Sequence, residues 1–430
     1  MRILVLGGYG FIGAELMRAC RAAGLDVVGL GRSADTGRRL VPDAAWIGAD
    51  MARLDAPDKW MPHLRGIDVI VNAAGALQDG ARDDLEAIHH RSIAALVAAA
   101  EQAGVKRFIQ ISAPGAEANA STAFMRTKAA GDAAVRASSL DWIILKPGLV
   151  IGRGAYGGTA LLRMLAGFPL MTPLVHASAR VQTVAIEDVA AAVVAALKGE
   201  APMRRDYALV EDASHSLRDI VRGFRRQLGF APAAFEPDLP EWTAGPVGAI
   251  ADVAGWLGWR TPLRSTALKI MREGVVADAA AWRAATGRSF ASFDETLADI
   301  PGTAQERLFA RAQLALPVMV MTLASFWIAS GVIGLLEIDR AAAHLRALGP
   351  AASTALVGAA SFLDIAIGAA ILFRPTARRA CLASLLVSAL YLLAGTITEP
   401  HLWLDPFGVL VKVFPAMALA AAAAVILEER

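Results

Sequence analysis

The chain has 430 residues, room for two or three domains. Its formal net charge of +2 excludes the strong basic field that would argue for nucleic acid. With 56% hydrophobic and 19% charged residues and a mean hydropathy of +0.47, it is too apolar to be an ordinary soluble enzyme throughout. The excess lies in the last third.

The chain opens on an apolar run, Ile3 to Leu6, that meets the glycine cluster Gly7-Gly8-Tyr9-Gly10-Phe11-Ile12-Gly13. A helical pattern follows over 12–23, with Ile12, Leu16, Met17 and Cys20 on one face. A buried strand, a tight turn and a helix N-terminus in that order form a dinucleotide site, because free N–H groups and the helix dipole point at a pyrophosphate. Both Gly8-x-Gly10-x-x-Gly13 and the overlapping Gly7-x-x-Gly10-x-x-Gly13 fit that fingerprint. Only Arg2 precedes the apolar run, which ends in a turn rather than a cleavage site, so no signal peptide is expected. The two cysteines, Cys20 and Cys381, are too far apart for a disulfide framework or a zinc spacing, and no metal site is expected.

Further strands are predicted at 27–30, 44–48, 67–71, 106–111 and 142–145, with helices over 83–103 and 121–138 between them. This alternation predicts an α/β Rossmann-like doubly wound parallel sheet with ligands beyond the carboxyl ends of its strands. After the second strand stand Gly31-Arg32-Ser33, with Arg38 and Arg39 close behind. An acidic residue there would bond the ribose hydroxyl of NAD, whereas arginine suits a 2′-phosphate, so NADP is favoured over NAD.

The segments GGYGFIG at 7–13, NAAG at 72–75, the strand-end Ser112, KPGLVIG at 146–152 and VQTVAIEDVAAAV at 181–193 resemble an atypical or extended short-chain dehydrogenase/reductase. The similarity is to the branch that includes the nucleotide-binding accessory subunit of respiratory complex I, and it covers roughly residues 1–230. It implies that Gly7, Gly10, Phe11, Ile12 and Gly13 hold the pyrophosphate and Arg32 the 2′-phosphate. Asp50 and Met51 would flank the adenine, and Ala73, Ala74 and Gly75 would run along the middle of the cofactor. Lys128 would bond the nicotinamide ribose, with Pro147, Gly148 and Val150 framing the nicotinamide.

One departure matters. The family's catalytic pair is Tyr-x-x-x-Lys, and this chain has Phe124-Met125-Arg126-Thr127-Lys128. The i, i+4 spacing survives, but the phenol that would protonate a developing alkoxide does not. Ser112 can hydrogen-bond an oxyanion but is a poor acid. Tyr156, on the loop after the sixth strand, is either a substitute acid or an ordinary loop tyrosine, and Phe124 can equally fill the floor of a pocket. Candidate catalytic residues are therefore Ser112, Lys128 and Tyr156.

Residues 231–311 form a connecting, substrate-side region. A strand at 206–210 precedes a helix capped by Ser214 and running through Leu228, and prolines 232, 237, 240 and 246 then break regular structure. In Trp256-Leu257-Gly258-Trp259-Arg260-Thr261-Pro262-Leu263-Arg264 two tryptophans stand beside two arginines. This segment touches the bilayer, covers the substrate pocket, or is a packed Trp with an Arg stacked on it.

From Ala312 to Leu336 there is no charge, 351–373 carries only Asp364, 380–398 carries none and 406–427 carries only Lys412. Runs of about 20 apolar residues cross a bilayer, so an all-α four-helix transmembrane bundle is predicted over 312–430. Arg307, Arg311, Arg374, Arg378 and Arg379 orient both termini to the cytoplasm, while Arg340 and Arg346 lie between the first two spans. Asp364 and Lys412 pair, or Lys412 snorkels to an interface or Asp364 is protonated, and Pro415 is expected to bend the fourth helix. With Leu402 to Pro415, this region resembles a DoxX-like four-span membrane domain, which implies a setting near quinone or redox chemistry.

The expected function is a cytoplasmic-membrane NADP(H)-dependent oxidoreductase for an apolar quinone- or lipid-like substrate or a membrane redox partner. The alternatives are a catalytically silent nucleotide-binding module that stabilises a membrane partner, and a nucleotide-gated transporter.

Overall fold

The computed structural model describes residues 1–81, 83–345 and 348–427. These form two compact units, one of residues 1–255 and 260–307 and one of residues 256–259 and 308–430. Arg346, one of the predicted loop charges, lies outside the described residues.

The strands of the first unit are β1 Arg2–Leu6, β2 Asp26–Gly31, β3 Ala45–Gly48, β4 Val69–Asn72, β5 Arg107–Ile111, β6 Asp141–Pro147, β7 Leu149–Ile151, β8 Arg180–Val181, β9 Thr183–Ala185, β10 Arg205–Leu209 and β11 His215–Ser216. Seven of them make one parallel sheet in the order β10-β6-β5-β4-β1-β2-β3, while β7 pairs with β9 and β8 with β11. Alternate residues of each strand enter opposite cores, as a pleat of period two requires. Ile3, Val5, Val69, Val71, Ile109 and Ile143 pack on one face, and Leu4, Leu6, Val28, Ile70, Phe108 and Ile144 on the other.

The helices of this region are α1 Phe11–Ala22, α2 Ala34–Leu40, α3 Pro57–Trp60, α4 Ser92–Ala103, α5 Ala123–Arg136, α6 Gly158–Ala166, α7 Ile186–Leu197 and α8 Leu217–Gln227. α1 and α7 cover the first face through Leu16, Met17, Val189 and Val193, and α3 and α4 cover the second through Trp60, Ile93 and Leu96. The predicted helix over 83–103 contains a π-helical segment, Ala87–Arg91, ahead of α4. The cap of α8 is Ser216 rather than Ser214: Ser216 Oγ accepts from the Asp219 N–H, whereas Ser214 Oγ is bound by Arg180.

The first unit continues through α9 Ala244–Trp256, α10 Ser265–Glu273, α11 Ala280–Thr286 and α12 Phe293–Ala298. Pro246 does not break α9, because it sits in the first turn, where a missing N–H costs nothing.

The second unit is helical: α13 Ala304–Leu336, α14 Ile338–Ala343, α15 Pro350–Leu372, α16 Arg374–Thr398 and α17 Val413–Ile426. Three of these, α13, α15 and α16, are long and apolar enough to cross a membrane. The fourth predicted span is shorter than expected. The chain turns over 405–412, with Gly408 at φ +63°, and α17 has only 14 residues, about 21 Å at 1.5 Å each. Pro415 lies in its first turn and starts the helix instead of bending it.

The expected Asp364–Lys412 pair does not form. Asp364 is buried and accepts from Ser330 Oγ on α13 and Tyr391 Oη on α16, each at 2.8 Å, so one carboxylate joins three helices. Lys412 is exposed at the N-terminus of α17. In the Trp/Arg segment, Trp259 Nε1 donates to the Leu372 carbonyl at 2.7 Å, and the arginine over its ring is Arg374, neither Arg260 nor Arg264.

Candidate dinucleotide site

Sheet order reverses between β1 and β4, and that switch point opens a crevice at the carboxyl edge. The chain leaves β1 through Gly7 at φ +67°, a conformation that favours glycine. The Gly10 N–H closes the turn on the Gly7 carbonyl at 2.8 Å. A Cβ on Gly13 would stand 2.1 Å from that same carbonyl oxygen, so Gly7, Gly10 and Gly13 are the spacing the turn uses. α1 then starts at Phe11 with no side-chain cap on its first-turn N–H groups, those of Phe11, Ile12 and Gly13. A glycine cradle that any Cβ would fill, under an uncapped helix N-terminus, fits a pyrophosphate.

The loop after β4 meets this turn directly, since a Cβ on Gly7 would be 2.8 Å from Ala74 Cα and 3.0 Å from the Ala73 carbonyl. At the end of β2, Arg32 pairs with Asp83 at 3.0 Å. Burial alone would lower its pKa, but Asp83, Tyr9 and Asp50 hold it above the ordinary value. Asp50 accepts from the Ala52 N–H at 3.2 Å and caps a short turn, and Met51 is buried in the core beneath it. Pro147 ends β6, where Gly148 lies against the Gln182 carbonyl and Val150 is half-buried.

Ser112 and Lys128 lie together behind this edge. Ser112 Oγ donates to Asp132 Oδ2 at 2.5 Å, Gln110 Nε2 reaches Asp132 Oδ1 at 3.3 Å, and Asn72 Nδ2 donates to Gln110 Oε1 at 2.8 Å. Asp132 is fully buried, which raises its pKa, and burial likewise lowers that of Lys128. Lys128 Nζ donates to the Ile111 carbonyl at 3.1 Å and stands 5.7 Å from the centre of the Phe124 ring. The ammonium thus faces an aromatic ring at the position of the family's phenol.

Tyr156 is half exposed and stacks on Phe11, with ring centres 6.2 Å apart and planes at 13°. The loop that carries it is held by Arg163, which is buried, donates to the Gly152 carbonyl at 2.8 Å and has its pKa lowered by burial to about 10. Tyr156 therefore stands over the start of α1, and its ring contact is with Phe11.

Sequence reasoning missed His89. It is buried in the π-helical segment, accepts from the Ala76 N–H at Nε2 (3.1 Å) and meets Thr127 Oγ1 at Nδ1 (3.0 Å). Its ring packs edge-on against Phe124 at 5.6 Å, and a Cβ on Gly75 would be 3.2 Å from its Nε2. No motif flags a single histidine in a helical pattern.

Residues 7–200 match a family described as NAD(P)H-binding, and residues 324–421 one described as the DoxX-like family. The chain joins an NAD(P)-binding, short-chain dehydrogenase/reductase-like Rossmann domain to a DoxX-like domain. It is similar to a ceramide reductase of Caulobacter vibrioides, 25% identical over 251 residues, which are 56% of this chain and 76% of that protein. It is also similar to NADH dehydrogenase [ubiquinone] 1 alpha subcomplex subunit 9 of Arabidopsis thaliana, 27% identical over 240 residues, 52% of this chain and 58% of that protein. Among solved structures, WbmG of Bordetella bronchiseptica with NAD aligns at a TM-score of 0.52 and 19% identity, covering 69% of this chain and 92% of that one. UDP-glucose 4-epimerase of Thermotoga maritima aligns at 0.52 and 16% identity, covering 73% and 100%. At these identities the likeness is one of fold.

Proposed function

We propose that the chain is a membrane-anchored NADP(H)-dependent oxidoreductase that reduces a carbonyl of an apolar, quinone- or lipid-like compound. The observation that carries this reading is the glycine cradle at the switch point, built into the same chain as three helices fit to cross a bilayer. The similarity to a ceramide reductase of Caulobacter vibrioides supports a lipid-like substrate. The residues assigned are Gly7, Gly10, Phe11, Ile12 and Gly13 for the pyrophosphate and Ala73 to Gly75 along the cofactor. Arg32 takes the 2′-phosphate, Asp50 and Met51 the adenine, Lys128 the nicotinamide ribose, and Pro147, Gly148 and Val150 the ring. Bound NADPH supplies hydride to the carbonyl carbon. Ser112, turning its hydroxyl from Asp132, hydrogen-bonds the carbonyl oxygen, and Tyr156 or the buried Lys128 ammonium delivers its proton. The positive-inside tendency of Arg307, Arg311, Arg374, Arg378 and Arg379 puts the nucleotide domain and both termini on the cytoplasmic side, with the 405–412 turn and α17 making the return.

Phe124 favours a second reading, a nucleotide-binding module without turnover that stabilises a membrane partner. Detergent-extracted full-length protein, NADPH and a panel of quinones and ketolipids separate the two. Oxidation of NADPH that disappears in Lys128→Ala and Gly10→Asp supports the enzyme. NADPH binding with no consumption across the panel supports the module.

A further inference from the structure

Helix α9 has two unlike sides. Gly248, Ala251 and Gly255 are buried, and a Cβ on Gly248 would stand 3.2 Å from Ser265 Cα at the start of α10. Its one charged residue, Asp252, turns to the protein, accepting from Gln78 Nε2 at 2.8 Å and from Arg264 Nε and the Ser265 N–H at 3.3 Å each. The opposite side carries Val247, Ile250, Val253 and Trp256 at intervals of three, all exposed, with Ile250 at 72%, so that the side is one apolar patch of the kind that marks a contact surface. Trp242, also exposed, stands just ahead of the helix.

The residues directly after α9 belong to the second unit. The Leu257 carbonyl accepts from the Arg374 N–H at 3.0 Å, and Trp259 Nε1 donates to the Leu372 carbonyl. Leu372 ends α15 and Arg374 starts α16, so this is the turn between two membrane-length helices. Such a turn lies at the rim of the hydrocarbon. A helix whose next residues are fastened to that rim, with an uncharged apolar side and tryptophan at each end, has the make-up of an interfacial helix.

We infer that α9 lies in the bilayer interface, with Val247, Ile250 and Val253 among the lipids. This rests on the membrane residence proposed above, and it extends that reading to the route of an apolar substrate. On its protein side α9 holds the loop after Gly75, through Gln78 on Asp252 and Arg264 Nη2 on the Asp79 carbonyl at 2.6 Å. A molecule leaving the lipid along α9 therefore meets the loop that follows Gly75.

The test is spin labelling of the full chain in phosphatidylcholine/phosphatidylglycerol vesicles. Labels go at Ile250→Cys and Val253→Cys, with Leu386→Cys, exposed on α16, as the lipid reference and Glu117→Cys, exposed on the first unit, as the water reference. The expected ratio of oxygen to nickel-chelate collisions at 250 and 253 is severalfold above that at 117 and close to that at 386. A water-like ratio at 250 and 253 with a lipid-like one at 386 overturns the inference and leaves membrane residence standing. A water-like ratio at 386 overturns both. Spin–spin broadening at 250 that persists on dilution with lipid overturns it in favour of a second copy on this side.

Discussion

His89 Nδ1 lies 3.0 Å from Thr127 Oγ1, and this contact ties the π-helical segment to α5. Because Nε2 accepts the Ala76 N–H, the ring proton sits on Nδ1 and is donated to Thr127 Oγ1, which in turn donates to the Phe124 carbonyl at 3.2 Å. One neutral imidazole thus sets the distance between the loop after β4 and the helix of Lys128.

Two results follow for His89. His89→Leu leaves the half-buried Ala76 N–H without an acceptor and costs about 1 kcal/mol of stability. Burial, and then Lys128, lower the pKa of His89 well below 6.5. Unfolding therefore takes up a proton: the contribution is complete above about pH 6.5 and is lost as pH falls towards the folded value, at up to about 1.4 kcal/mol per pH unit. Thermal melting of the full chain in detergent, followed from pH 8 to about pH 5, should show this acid-side decline in the wild type, and His89→Gln should flatten it.

Phe124→Tyr places a phenol on the helix position one turn before Lys128, whose Nζ already faces that ring. A positioned acid contributes about 10²–10⁴ in rate, so carbonyl reduction with NADPH should rise at least about tenfold. An unchanged rate with unchanged NADPH affinity would mean that the proton comes from elsewhere, with Tyr156→Phe as the next variant to assay.

Arg32 is held beside Asp83 at the end of β2. If it takes a 2′-phosphate, Arg32→Ala loses a charge-assisted contact of about 1.5–3 kcal/mol. NADPH affinity should then fall by about 10- to 150-fold while NADH affinity stays within about twofold. Fluorescence titration of both nucleotides reads this, and equal losses for the two would remove the basis for an NADP preference.

Asp364 joins Ser330 and Tyr391 across three helices. Ser330→Ala and Tyr391→Phe should each cost about 0.6–1.7 kcal/mol in detergent unfolding, with a coupling to Asp364→Asn of similar size. Lys412→Met should add to Asp364→Asn without coupling, because Lys412 is exposed at the start of α17.

The strands of the seven-stranded sheet were legible because each is a short apolar run whose residues alternate with the pleat, whereas β7, β8, β9 and β11, of two or three residues each, were not. Ile3 and Val5 face one core and Leu4 and Leu6 the other. The apolar spans were legible by length alone. The fourth was overestimated because apolar composition alone does not reveal the turn over 405–412, where Gly408 takes a positive φ ahead of α17. Ser214 and Ser216 are both good caps on paper, and the choice went to the one left free by Arg180.

By itself, the sequence determined the order of the seven main-sheet strands, the glycine turn at residues 7–13 and the change of solvent in the last third. These are local properties, set by side-chain bulk, period and hydropathy over a few neighbouring residues. Tertiary structure alone decided which glycines touch what, that Asp132 lies under Ser112, that His89 links residues 76 and 127, and that Asp364 meets Ser330 and Tyr391 rather than Lys412. Those contacts join residues 13 to 38 positions apart, and the partner of a buried polar group is whichever donor the packed chain brings within reach.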